Sequence, residues 1–190
     1  MVESFIEHLI SSVIAVGSLL FPFITGTNAS FDDVNFYVNG NSMYFSGQLI
    51  NCYTTEFDEI LKSGQTITLN FKFELYKQNG KKPVFSHNIY RTLKYDLVDE
   101  SFTLFLSENR LSLYLNSVEG MHEEFTKIRN YKVLNSVKIR EGQRYFIRIS
   151  AYLEKITFYD ISEKFDLMLY WNNSVPVIES KMFDSSLFLF

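Results

Sequence analysis

Thr66-Ile67-Thr68-Leu69-Asn70-Phe71-Lys72-Phe73-Glu74-Leu75-Tyr76 is the stretch on which the fold turns. Ile67, Leu69, Phe71, Phe73 and Leu75 occupy alternate positions, with Thr66, Thr68, Asn70, Lys72, Glu74 and Tyr76 between them. Strand side chains point to opposite faces in turn, so this run reads as a β-strand with one face on a core and the other toward water. Asn79-Gly80 follows at once, and Lys81, Lys82 and Pro83 lead into a second extended run from Val84 to Tyr95. The pair reads as a hairpin with an Asn-Gly turn. The pattern returns in Arg144 to Glu154, after the turn residues Glu141-Gly142. There Tyr145, Ile147, Ile149, Ala151 and Leu153 point inward, while Arg144, Arg148, Tyr152 and Glu154 point outward. Weaker strand signals lie at Val34 to Val38, Met43 to Ile50, Phe102 to Leu106, Leu111 to Leu115, Tyr131 to Ile139 and Phe165 to Trp171. So many short strands predict a sandwich or a barrel.

Two segments have helical spacing instead. Thr55 to Ser63 carries Phe57, Ile60 and Leu61 on one side, with Thr55 and Asp58 as a capping pair and Gly64 as the stop. Asn116 to Arg129 opens on Asn116 or Ser117 as cap, continues through Glu119, Glu123 and Glu124, and closes on Lys127 and Arg129, which matches the helix dipole at both ends. Its apolar positions Val118, Met121, Phe125 and Ile128 recur every three or four residues, the mark of a helix lying on a sheet.

Composition agrees with a β-rich globule. Hydrophobic residues make up 46% of the 190-residue chain and charged ones 21%, and 19 Phe with 12 Tyr weight it toward sheet packing. The net charge of -4 and the pI near 5.4 offer no basic face for a polyanion, so no nucleic-acid partner is expected. Cys52 is the only cysteine, which excludes an internal disulfide, and it lies too far along the chain for lipoprotein attachment.

Residues 1–29 read differently. Leu9 to Ile24 is uncharged and apolar, contains Gly17 and Pro22, and is a little short for a bilayer span of about 20 residues. Its length suits a signal peptide, although Glu3 and Glu7 stand where Lys or Arg is usual. The expectation is a signal peptide cut after Ala29, with Thr27 and Ala29 as the small residues. A membrane anchor through residues 9–24 is the second reading, and a buried segment of a cytosolic fold the third. The whole is expected to be mainly β: an antiparallel β-sandwich with one or two short helices, forming a single domain over residues 30–190 behind an apolar leader.

Phe57-Asp58-Glu59-Ile60-Leu61-Lys62-Ser63-Gly64-Gln65-Thr66-Ile67, running into an alternating strand, resembles the segment that opens the core of domain-of-unknown-function family 4390. Leu93-Lys94-Tyr95-Asp96-Leu97 is similar to that family's leucine and tyrosine pattern. Glu141-Gly142-Gln143-Arg144-Tyr145-Phe146-Ile147-Arg148-Ile149, with Leu153, is similar to its late glycine and tyrosine strand. Where the family usually has Leu-Pro after that strand, this chain has Ile156-Thr157-Phe158. The resemblance implies a bacterial envelope protein on the periplasmic side, commonly with an export signal and without an established activity. It supplies no catalytic residues.

No motif for catalysis, metal, nucleotide or cofactor stands out, and a non-enzymatic protein is expected. His87 and His122 have no His or Cys at ligand spacing. His87 reads as a hydrogen-bonded or exposed strand residue and His122 as solvated on an acidic helix. Glu123-Glu124 and Asp99-Glu100 are sequence neighbours and cannot share one proton site. Cys52 reads as a small packing residue. The sequence directs attention instead to the outward face of the late strand, where Arg144, Arg148 and Tyr152 are expected in a row with Arg91 or Tyr90 from a neighbour. Arg and Tyr surfaces suit contacts with a protein partner, here an envelope protein, though cross-strand pairing alone also accounts for them. Two alternatives follow from the Phe content: a small outer-membrane β-barrel signalled by the tail Ser186 to Phe190, and a carrier of an apolar ligand between its sheets.

Overall fold

The computed structural model describes residues 26–157 and 164–188. The apolar run Leu9 to Ile24, on which the export and anchor readings rest, lies outside them. The described strands form antiparallel sheets, and the long alternating run at 66–76 is the centre of the larger one.

Strand β1 (Ser30–Asn39) turns through Gly40 into β2 (Ser42–Ile50), and helix α1 (Thr55–Leu61) leads across to β3 (Ile67–Lys77). From β3 the chain meanders through β4 (Phe85–Asp96), β5 (Ser101–Leu106) and β6 (Leu111–Leu115). Helix α2 (Val118–Thr126) then returns it to β7 (Lys127–Asn135), and a 3-10 turn at Ser136–Lys138 passes it back to β8 (Tyr145–Leu153). The short strands β9 (Ile156–Thr157) and β10 (Lys164–Phe165) pair with each other, and β11 (Val177–Glu179) follows. One sheet has the order β1-β2-β7 and the other β11-β8-β3-β4-β5-β6. Both are open, so the described strands do not close into a barrel, and the barrel alternative is set aside.

Rings fill the space between the sheets. Phe31 packs on Phe71, Phe45 meets Phe73 edge-on at 6.1 Å, and Tyr131 lies 5.1 Å from Phe73. The cavity beside these rings, near His87, measures about 10 Å3, which is room for one water rather than an apolar ligand. Helix α2 covers the part of the large sheet that the small one leaves, burying Met121 and Phe125. Ser117 caps it, its hydroxyl accepting from the Gly120 N–H at 3.1 Å. In α1 the cap is Thr54, one residue ahead of the expected Thr55, and Gly64 takes φ 79° just past its end. Asp58 of α1 and His122 of α2 meet at 2.8 Å, and the His122 ring stacks on Tyr53 with centroids 3.6 Å apart. His122 is therefore engaged between the helices, not solvated as expected.

The β3–β4 pair is the expected hairpin, its turn closed by Gly80 N–H donating to the Lys77 carbonyl with Asn79 at φ 63°. Two other expectations change. Tyr131 to Ile139 begins four residues earlier, at Lys127, and its end curls into the 3-10 turn. Phe165 to Trp171 is mostly a 3-10 helix, Leu167–Trp171, because Asp166 caps it and Leu167, Tyr170 and Trp171 need a common buried side. The tail folds back on its own domain: Phe183 bridges to Tyr145 and Phe188 packs on Phe183 at 6.1 Å.

Residues 26–28 are part of this structure. Thr27 N–H donates to the Tyr170 carbonyl at 2.9 Å, the Thr27 hydroxyl to the Asn51 carbonyl, and the Asn172 amide to Asn28 Oδ1 at 3.0 Å. A Cβ on Gly26 would stand 2.7 Å from the Leu169 carbonyl oxygen, so only glycine fits there.

Candidate protein-contact face

On the large sheet, the even positions of β3 and β8 face away from the core. Register sets Tyr76 opposite Phe146, Glu74 opposite Arg148, Lys72 opposite Ser150 and Asn70 opposite Tyr152. Arg148 is the hub. Its Nε donates to Glu179 Oε1 of β11 at 2.8 Å, and its guanidinium carbon lies 4.7 Å from the Tyr76 ring centroid and 5.9 Å from that of Phe146. Tyr76 and Phe146 stack at 5.3 Å, so the cation rests on a platform of two rings. The Glu179 hydrogen bond holds the guanidinium still more firmly protonated than usual.

Long side chains on this face bury what lies beneath them. Asn70 is 5% exposed and donates to Glu154 at 2.9 Å, and Glu74 pairs with Lys72 at 2.7 Å. Alternation alone turned these β3 residues toward water, because it ignores the aromatic and Arg stems that neighbouring strands lay across a central strand.

Tyr152 lies half-buried on this face, as expected. Arg144 is exposed in the turn before β8, where its carbonyl accepts from Gln78 N–H at 2.8 Å. Arg91 is not on this face. It falls in the same alternation as Ile89 and Leu93 and points into the core, 3% exposed. There Nε and Nη2 donate to Glu108, and Nη1 donates at 2.8 Å to the carbonyls of both Glu124 and Lys127 at the end of α2. A guanidinium completing those carbonyls joins helix to sheet. Tyr90, its neighbour in sequence, takes the outward place. It stands opposite Asn70, is 44% exposed and lies 6.0 Å from Phe105. Tyr114 of the edge strand β6 is 77% exposed on the same face. Phe105 and Tyr114 were missed, though Thr103 and Phe105 alternate with the inward Phe102, Leu104 and Leu106, which was the available signal.

His87 lies on the inner face, stacked 5.0 Å from Phe73, with a buried Nδ1 that has no partner among the described residues. Burial lowers its pKa from 6.5. Burial also pushes the Cys52 thiol up to about 12. Glu123 and Glu124 converge on one guanidinium, that of Arg129, at 3.0 and 2.8 Å. Among the described residues no cluster of three metal-ligating side chains occurs, and no helix is long and apolar enough to cross a membrane.

A family model described as Domain of unknown function (DUF4390) matches residues 27–158. No curated protein and no solved structure matches the chain.

Proposed function

The chain belongs to the DUF4390 family, a domain of unknown function, and from that premise we propose that it is a non-enzymatic protein of the bacterial envelope that docks a protein partner on the outward face of its six-stranded sheet. One observation carries the reading. Tyr90 stands exposed beside Phe105, Tyr114 is exposed on the edge strand, and Arg148 sits on the Tyr76–Phe146 platform of the same face. Aromatic rings and Arg offer large contact area with few torsions to freeze, the composition typical of binding hot spots. Placement in the envelope rests on the apolar run Leu9 to Ile24 and on the family resemblance, with the leader removed on export or kept as an anchor.

A photocrosslinking residue at Tyr114 or Tyr90 of the full chain, expressed in its native bacterium, tests the docking face. A discrete adduct from both positions, and none from Gln48 on the other sheet, is the expected result; equal labelling from Gln48 or no adduct refutes it. Intact mass after cell fractionation tests the location. Because Thr27 and Asn28 are bonded into the domain, a mature chain that begins before Gly26 keeps those bonds, whereas a cut after Ala29 discards them. An intact chain in the cytosol overturns the envelope reading.

A further inference from the structure

Where β3 ends and β8 begins, one register step past the Tyr76–Phe146 pair, a cavity of about 180 Å3 is lined by Lys77, Val84, Phe85, Lys138, Arg140 and Tyr145. Lys77 and Tyr145 are cross-strand partners, and the Lys138 ammonium stands 5.1 Å over the Phe85 ring. No carboxylate is in the lining; Glu141 adjoins Arg140 in the chain but stays outside it. Lys81 and Lys82 lie in the neighbouring β3–β4 loop and add to the field. Six other cations, Lys72, Arg91, Lys127, Arg129, Arg148 and Lys155, each face a carboxylate within 3.1 Å. Among the described residues, none pairs with Lys77, Lys138 or Arg140. In a chain of net charge -4, three cations thus line one cavity with no carboxylate among them.

Tyr145 supplies an independent sign. It is 1% exposed, and its hydroxyl oxygen accepts from the Arg140 N–H at 3.2 Å. Its own proton has no acceptor among the described residues, and a buried hydroxyl normally finds one.

We propose that this cavity binds a phosphate monoester. A doubly charged tetrahedral group matches three cations and a phenol donor better than a carboxylate would. Phe85 and the half-exposed Val84 give its organic arm an apolar seat. The ester is either a soluble one or the headgroup of a lipid, and two arms separate these sources. Phenyl phosphate is titrated calorimetrically into the full chain, and co-sedimentation is measured with phosphatidylcholine vesicles with and without phosphatidic acid. Saturable binding of phenyl phosphate assigns a soluble ester; binding only to vesicles containing phosphatidic acid assigns a headgroup.

In either case the double variant Lys138→Glu with Arg140→Glu, both at exposed positions, loses at least roughly tenfold in affinity. Tyr145→Phe, which leaves the charge unchanged, loses several-fold. Any attachment to vesicles through the apolar run Leu9 to Ile24 is insensitive to these substitutions and to phosphatidic acid. Absence of binding in both arms overturns the proposal. So does a double variant that binds as well as the parent, or a Tyr145→Phe variant with unchanged affinity, which would reduce the effect to diffuse charge attraction.

Discussion

The two faces of the six-stranded sheet each hold an arginine beside aromatic rings, and they use it in opposite ways. On the inner face Arg91 spends four hydrogen bonds on Glu108 and on the end of helix α2, with its guanidinium 5.6 Å from the Phe71 ring centroid. At 3% exposure it is closed to a ligand. On the outer face Arg148 lies across Tyr76 and Phe146 with a single carboxylate partner, and its side chain remains 38% exposed. Residue type and ring contact are thus the same, and only enclosure separates a structural arginine from an available one. Enclosure also sets the energy scale, since a charge cut off from water has no alternative partner while an exposed one does.

The comparison breaks most visibly at Arg91. Arg91→Ala leaves Glu108 enclosed without its counter-charge and frees the α2 carbonyls, so a loss of about 3–5 kcal/mol in urea unfolding is expected; a loss no larger than that of an exposed pair would sink the contrast. His87 gives a second inner-face effect. Its folded pKa lies below the unfolded value of 6.5, so the unfolded chain takes up the proton more readily, and stability falls as pH drops through 6.5 toward the folded pKa. His87→Phe, which keeps a ring between Phe73 and Phe85, should flatten that part of the stability–pH curve. Arg148→Ala is the outer-face counterpart. Its exposed pair with Glu179 is screened by solvent, and a change below about 1 kcal/mol is expected, together with loss of the crosslinked adduct from Tyr90. Smallest of all is the response of Cys52. With its thiol buried and its pKa near 12, labelling by an aromatic disulfide reagent at pH 8 should be absent in the native protein and complete in denaturant.

Much of this architecture was legible in the residues. Strict alternation in β3 and β8 fixed which side chains enter the core, and Ser117 with the Glu residues after it marked α2. Arg91 was misread because β4 alternates poorly: Ser86, His87, Asn88 and Asn79 to Pro83 mask the inward set Phe85, Ile89 and Leu93, and a charged residue in that set looks external until the Glu108 carboxylate is placed beside it. Leu167–Trp171 was misread as a strand because a short apolar run carries no period of its own, and Asp166 capping decided the outcome. The basic cavity draws its residues from β3, β4, the 3-10 turn and β8, segments brought together only by the register Lys77–Tyr145. No local spacing could have announced it.

Trp171 is the chain's single tryptophan, 1% exposed, and its indole N–H donates to the Cys52 carbonyl at 3.0 Å. The carbonyl of adjacent Tyr170 receives the Thr27 N–H. One native fluorophore therefore sits at the junction of the first described residues, the α1 approach and the C-terminal segment. Its emission should be blue-shifted and shielded from iodide, and it should redden when that junction opens, whether or not the sheets have parted. Comparing fluorescence with far-UV dichroism during unfolding would time the opening of that junction against the loss of the β-structure, without any label.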